Sequence, residues 1–498
     1  MIRHSGTGSG LASGLLVALV VLGPLPFGGV MPRDRAALEL CAFLALAFAL
    51  ASHGRISHLR LVRLPLLALL AVAAFGLLQS LSWPAFVGDL LAPRLTELWR
   101  ESGALLEPGA SDALIPLSIA PAVSRQVALH WLAVAACLAA ATLQGRERGA
   151  RRLMILALVA SGVLQIALGA EPWIDRRSQI WGVDVPGDPS RLRGTFVNPD
   201  NFSFFLALCV TSCASWVLWA VRRIFETKEA IEDHVMRAVP PIMLFCVLFV
   251  GLAFSGSRGG LLAVVGALVI QGLVVALRYR RWTMAALAAA PLALAAGGLA
   301  LFGWRRGLAR WLETSLFEVT WNARLETWRA SLELWWQMPL TGTGLGTFRQ
   351  AYPLVQPTDL PGTWRHAHSD IVELLVTLGV ASWALLALAI FGLATRLLQL
   401  HRRGRRSEDR AAGLAALGVA SAAFLHSGVD FSLTLPANAF ATATMLGLAC
   451  GTLTLERREK ASRGPGETVF MDRDAESKPY GEEEARADPA AAVSASGR

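Results

Sequence analysis

Trp364-Arg365-His366-Ala367-His368-Ser369-Asp370 sets two imidazoles, a guanidinium and a carboxyl side by side, directly before an apolar run that starts at Ile371. Histidine exchanges a proton near neutral pH, so a hydroxyl placed here can be deprotonated. Titratable residues where water meets membrane are costly unless they are used. Three more polar groups fall at the ends of apolar runs. One is Arg193 with Asn198-Pro199-Asp200-Asn201, another is Ser255-Gly256-Ser257-Arg258-Gly259-Gly260, and the last is His426-Ser427-Gly428-Val429-Asp430. Arginine keeps its charge at any working pH and grips phosphate bidentately. Arg193, Arg258 and Arg365 could therefore hold a diphosphate and stabilise its charge as it leaves. His366 or His368 would accept the proton of the attacking hydroxyl. No carboxylate-rich motif stands beside these arginines, so the pattern requires no divalent metal and no other cofactor.

Each residue also has a structural reading. Arg258 can anchor a helix end at the interface, and Arg193 can be an ordinary loop residue. The histidines can be plain interfacial polar groups. His426 and Asp430 can pair and hold the last helices together, which is the preferred reading for those two. Glu373, just inside the next helix, faces either the bundle or a cavity. The chemical reading rests on the combination.

The elements that must position these groups are membrane helices. The chain has 498 residues, 54% hydrophobic and 17% charged, with a mean hydropathy of +0.48. About twelve apolar runs approach the ~20 residues that span a bilayer core, near 11–30, 36–52, 62–82, 123–143, 153–170, 202–221, 239–255, 259–277, 283–303, 371–395, 411–428 and 436–454. This predicts an all-α polytopic membrane protein. The first run lacks a small-residue cleavage site and reads as a retained helix. Basic groups occur in every second loop, which puts both termini in the cytoplasm and the four polar groups on the outer side. The formal charge of +9 is therefore a topology signal and not a nucleic-acid footprint. All six cysteines lie in apolar runs, with no C-x-x-C pattern, so neither a disulfide framework nor a zinc site is expected.

The expected domain organisation is a membrane domain over 1–455, containing a large outer loop over 304–370, and a disordered cytoplasmic tail over 456–498. Within the loop, Trp321, Leu325, Trp328, Leu332 and Trp335 recur at spacings of three and four, predicting an amphipathic helix that ends at Pro339. It lies either in the headgroup zone or against the bundle. Gly342-Thr343-Gly344-Leu345-Gly346 follows a helix and a proline, not a strand, so it reads as a tight re-entry toward the site rather than a dinucleotide cradle.

Several of these segments resemble bacterial O-antigen ligases and O-antigen polymerases. Arg193-Gly194-Thr195-Phe196-Val197-Asn198-Pro199-Asp200 is similar to their R-G-T-F-x-N-P-N segment, and Ser257-Arg258-Gly259-Gly260 to their S-R-G-G turn. Pro339 to Phe348 resembles P-L-x-G-x-G-x-G-x-F, and His366-Ala367-His368-Ser369-Asp370 resembles H-A-H-N-D. His426 to Phe431 with Pro436-Ala437-Asn438 resembles H-S-x-V-D-F…P-A-N. Ser369 and Asp200 stand where the family commonly has Asn.

The resemblance implies an inner-membrane glycosyltransferase acting on the periplasmic side. Its donor would be an undecaprenyl-diphosphate-linked glycan, and its acceptor a hydroxyl on lipid A–core, a polysaccharide or a protein. Transfer would be metal-independent and inverting. Arg193 and Arg258 would bind the diphosphate, and His368 would be the base or orient the acceptor. His366 and Arg365 would support it, with Asp370, Asp430 and His426 behind them. A transporter or flippase of polysaccharide precursors is the competing class. It predicts broken helices at corresponding positions of two halves, and no such repeat is visible.

Overall fold

A segment surrounded by lipid must satisfy its own backbone polar groups, so long apolar runs fold as helices. The computed structural model describes residues 5–53, 56–106, 114–226, 231–279, 314–403 and 407–452. In chain order its helices are α1 (Ser5–Val21), α2 (Pro32–His53), α3 (Arg63–Ser80), α4 (Ala85–Leu91), α5 (Pro93–Leu106), α6 (Pro121–Gln144), α7 (Arg148–Ile174) and α8 (Pro199–Glu226). There follow α9 (Ile231–Phe254), α10 (Arg258–Tyr279), α11 (Thr314–Gln337), α12 (Phe348–Ala351), α13 (Asp370–Leu378), α14 (Ala381–Arg403), α15 (Ser407–Ser427) and α16 (Pro436–Gly451). Two short antiparallel pairs, Ser82–Pro84 with Leu114–Pro116 and Gln179–Ile180 with Val183–Asp184, close loops.

Among the described residues, eight helices are long and apolar enough to cross a membrane: α2, α3 with the turn before it, α6, α7, α8, α9, α10 and α14. The chain is thus a multi-pass helical membrane protein. Four of the twelve expected runs fall outside this set for separate reasons. The run 283–303 lies outside the described residues, as does the expected tail from 456. The first run has an apolar helical part of only Thr7–Val21. The 16 residues of α16 reach about 24 Å, short of a ~30 Å hydrocarbon core. The 21 residues of α15 begin with the charged Ser407-Glu408-Asp409-Arg410. The run 371–395 is broken into α13 and α14 at Gly379, whose φ is +62°. A Cβ there would sit 2.5 Å from the Leu340 carbonyl oxygen.

The centre of the bundle is α8, with Phe202, Phe204, Phe205 and Leu206 fully buried. Beside it α6 and α16 approach so closely that side chains are excluded. A Cβ on Gly447 would lie 2.6 Å from Leu138 O, and one on Gly145 would lie 2.2 Å from Leu448 O. Small residues bring membrane helices into backbone contact because lipid supplies no hydrophobic drive between them. The acid buried in this region is compensated. Glu39 takes Arg35 Nε at 2.9 Å and lies 3.3 Å from His130 Nδ1.

A second, smaller core sits under the loops. Leu95, Leu117, Leu334, Met338, Phe348, Tyr352 and Ala367 are buried in it together. The glycine-rich segment joins this layer to the bundle. Thr343 N and Gly344 N donate to Val376 O and Thr377 O, and Gln79 holds Thr341 O, Thr377 O and Leu345 N. The glycines have φ of +69°, +111° and +74°, a backbone region that side chains rarely adopt. With Gly342 N on Met338 O, three of the segment's amides are thus spent on backbone carbonyls, as a structural re-entry requires. Gly447→Val is expected to destabilise the fold by about 1–3 kcal/mol, because a backbone contact cannot relax. The measurement is the apparent Tm in detergent, with Gly272→Ala, which has open space around it, leaving Tm unchanged or slightly raised.

Candidate active site

Asp370 is the first residue of α13, and its capping neighbour Ser369 accepts from Val372 N at 3.4 Å. Ser369 also donates to Ser427 O. Asp370 Oδ2 accepts from Ser427 Oγ at 2.8 Å and from the Ser432 and Leu433 amides at 3.2 Å each. Its own amide donates to Asp430 O. The segments 366–370 and 426–433, some sixty residues apart in sequence, are therefore laced together through one carboxyl group. From the other side, Trp328 Nε1 on α11 donates to Ala367 O at 2.8 Å.

His368 lies in the left-handed region, with φ of +51°, a conformation that costs a non-glycine residue and needs surrounding support. The support is visible in three contacts. His368 Nδ1 lies 3.3 Å from Asp430 Oδ1, and the ring is edge-on to Trp364 and Phe431. The side chain is 28% exposed against 3% for Asp430, so the pair has a buried end and an open end. With Nδ1–H donated to the carboxylate, Nε2 carries the lone pair that a general base requires.

His366 stacks on Phe431 at 3.9 Å between ring centroids. Its Nδ1 meets Glu373 at 3.1 Å, which also accepts from Ala367 N.

A string of alternating charges continues behind His368. Asp430 Oδ2 is 3.3 Å from an Arg324 guanidinium nitrogen, and Arg324 donates to Val429 O at 2.8 Å. Arg324 also comes within 3.9 Å of Asp200. Asp200 in turn binds Arg191 at 2.5 Å, and Arg191 reaches Ser255 O at 2.6 Å. Burial alone would raise the Asp430 pKa, but the His368 hydrogen bond and the Arg324 charge overcome it and hold the carboxyl below its usual range. Asp370 has no such cation, and burial pushes it up to about 7. Its Oδ1 meets no partner among the described residues. Burial lowers the His366 pKa, yet Glu373 outweighs that and the net shift is upward.

The expected site residues take distinct places. His366, His368, Asp370 and Asp430 converge. His426 is buried beneath them, with Nδ1 3.2 Å from Ser432 Oγ, which donates to Asn201; Asp430's side chain goes to His368 and Arg324 instead. Arg258 is half-buried and opens α10 beside this group. At the two residues after it, a Cβ on Gly259 would touch Val429 at 3.0 Å, and one on Gly260 would reach Ser203 Oγ at 2.3 Å. Arg193 is 5% exposed and donates to Pro186 O, Val197 O and Asp188 O; burial lowers its pKa. Arg365 is exposed.

Arg324 adjoins this group although the sequence pattern did not single it out, and it brings in Asp200 of the Arg193 group. The face that α11 buries is Thr327, Ser331, Leu334 and Met338, offset from the stripe of Trp321, Leu325, Trp328, Leu332 and Trp335, of which Trp328 and Trp335 are half-buried and Leu332 is 46% exposed. Arg324 continues that buried row at the same spacing of three and four. Its small hydroxyl residues disguise it as a polar face.

The bundle and this end cluster define a polytopic membrane protein with a partly exposed histidine held by a buried carboxylate at one end of its helices. Residues 242–387 match the model of the family described as O-Antigen ligase, in agreement with the resemblance of the motifs. The matched stretch contains Arg258, Arg324 and the 366–370 motif. No curated protein matches the chain significantly.

Because the folded chain keeps the Asp370 proton up to about pH 7, against 3.8 for a free carboxyl, folding takes up a proton between those values. That contribution to stability is complete below 3.8 and is lost as pH rises toward 7. Raised His366 acts with the same sign around its own pKa, with its contribution fading as pH rises. Apparent Tm is expected to fall between pH 5 and pH 8, and Asp370→Asn to flatten that slope.

Proposed function

We propose that this protein transfers a glycan from undecaprenyl diphosphate to an acceptor hydroxyl at the periplasmic face of the bacterial inner membrane. The observation that carries this reading is the His368–Asp430–Arg324 arrangement, a partly exposed imidazole with one nitrogen on a buried carboxylate, in a chain whose residues 242–387 match the O-Antigen ligase family model. The acceptor oxygen attacks the sugar carbon on the face opposite the diphosphate. His368 Nε2 takes the acceptor proton as the new C–O bond forms. The bond from that carbon to the diphosphate oxygen breaks, and the electron pair leaves with the lipid diphosphate. The configuration at carbon inverts.

Asp430 stabilises the imidazolium that results and keeps the ring oriented, as a buried carboxylate does for a histidine base. Arg193, Arg258 and Arg365 supply positive charge for the departing diphosphate, so the reaction proceeds without a metal ion. Positive charge fixed in advance costs no reorganisation at the moment of reaction. Arg193 suits this role from a buried seat, since its hydrogen bonds go to backbone carbonyls and leave it held in place. Arg258 adds the N-terminus of α10, which favours an anion. His366 orients the acceptor, with Phe431 and Glu373 fixing its ring. The acceptor is a hydroxyl of lipid A–core or of a polysaccharide.

His368→Ala should lower transfer from a lipid-diphosphate donor by about 100-fold or more, the range typical of losing a general base, with the protein's membrane level unchanged. Asp430→Asn should lower it less and shift the pH profile of transfer. Full activity of His368→Ala in membranes assayed for glycosidic bond formation would remove His368 from its role.

A further inference from the structure

A cavity of about 630 Å³ lies between α8, α10, α14 and α15. Nearly all of its wall is aliphatic or aromatic, including Leu397, Leu417 and Phe424. Its charged lining residues, Arg222 and Arg410, lie at one end beside Trp219. That end is remote from the site. Arg410 precedes His426 by sixteen residues on α15, about 24 Å at 1.5 Å per residue. Arg222 follows Asn201 by twenty-one on α8, about 31 Å.

Two of the donors at this end are buried and meet no acceptor among the described residues: Trp219 Nε1 and Arg410 Nε. Buried donors without acceptors cost free energy, and here they line an open groove beside a second guanidinium. A ligand that fits must bring oxygen acceptors and negative charge at one end and an apolar chain along the rest. We infer that the groove binds an anionic phospholipid. Its phosphate meets Arg222, Arg410 and the Trp219 N–H, and an acyl chain runs along α15 toward Phe424. The distance from Arg410 to Phe424 is about 21 Å, enough for a headgroup linkage and one chain of a leaflet about 15 Å deep. A tryptophan at the charged end matches the preference of its ring for the headgroup level. The lipid diphosphate of the proposed reaction belongs at the opposite end of the same helices, so the two ligands are separate.

The test is native mass spectrometry of the full chain, purified in mild detergent and supplied with dioleoyl-phosphatidylglycerol or dioleoyl-phosphatidylcholine. At least fivefold preferential retention of phosphatidylglycerol is expected, declining with added salt. Arg222→Gln with Arg410→Gln should abolish the preference, and Arg410→Lys should preserve most of it. Ala420→Trp, which fills the cavity, should reduce retention with both arginines intact. Equal retention of the two lipids, an unchanged preference in the double glutamine variant, or retention of a polyprenyl phosphate in place of phospholipid would each overturn the inference. None of these readouts depends on transfer activity.

Discussion

A carboxylate withdrawn from water at a membrane edge must be matched by cations and donors, and Asp430 is where this protein meets that requirement. One oxygen faces His368 and the other faces Arg324. Removing Arg324 would leave this buried carboxylate without its permanent cation, which costs several kcal/mol. The pairing therefore binds α11 to the loop before α13 and to the turn after α15. Arg324 extends the same bond to Asp200 at the head of α8. Four elements distant in sequence share one electrostatic anchor, and the histidine that faces outward is fixed by the group that stabilises the bundle end.

The neighbouring Asp370 shows how placement separates two carboxyls in one cluster. Asp430 has cations and stays ionised at neutral pH, while Asp370 has hydroxyl and amide donors but no cation, and burial raises it to about 7. The first tunes a base. The second fastens two loops together, with little net charge added on the acidic side of neutrality. The left-handed backbone of His368 depends on both, because Asp370 fixes the residues after it and Asp430 its ring.

The interior of the bundle follows a different rule. There, contact between α6 and α16 depends on glycines whose absent side chains let backbones meet, and the small loop-layer core gives the 366–370 segment a rigid floor through Ala367. The polar end is thus built on packing that has no polar content of its own. The groove along α15 belongs to this apolar part, with its charged end opposite the site.

Periodicity and run length were enough to determine a multi-pass helical protein, since a bilayer leaves few ways to satisfy a backbone. The local motifs were legible too, because His366, His368 and Asp370 are adjacent in the chain and Asp430 sits in a similar polar interruption. What only the tertiary structure decided is which groups face each other. Arg324 became a partner of Asp430 because it extends the row of Thr327, Ser331, Leu334 and Met338 that α11 buries, and the hydroxyl residues at the start of that row do not mark it as an inward face. Gly379 split an apolar run that length alone reads as one span, because the approach of the Leu340 carbonyl is set by a loop folded back over it. Hydropathy records the preference of each residue for lipid or water. It does not record distances between segments, and those distances decide which charge is compensated, which is left to act, and which histidine nitrogen meets a carboxylate.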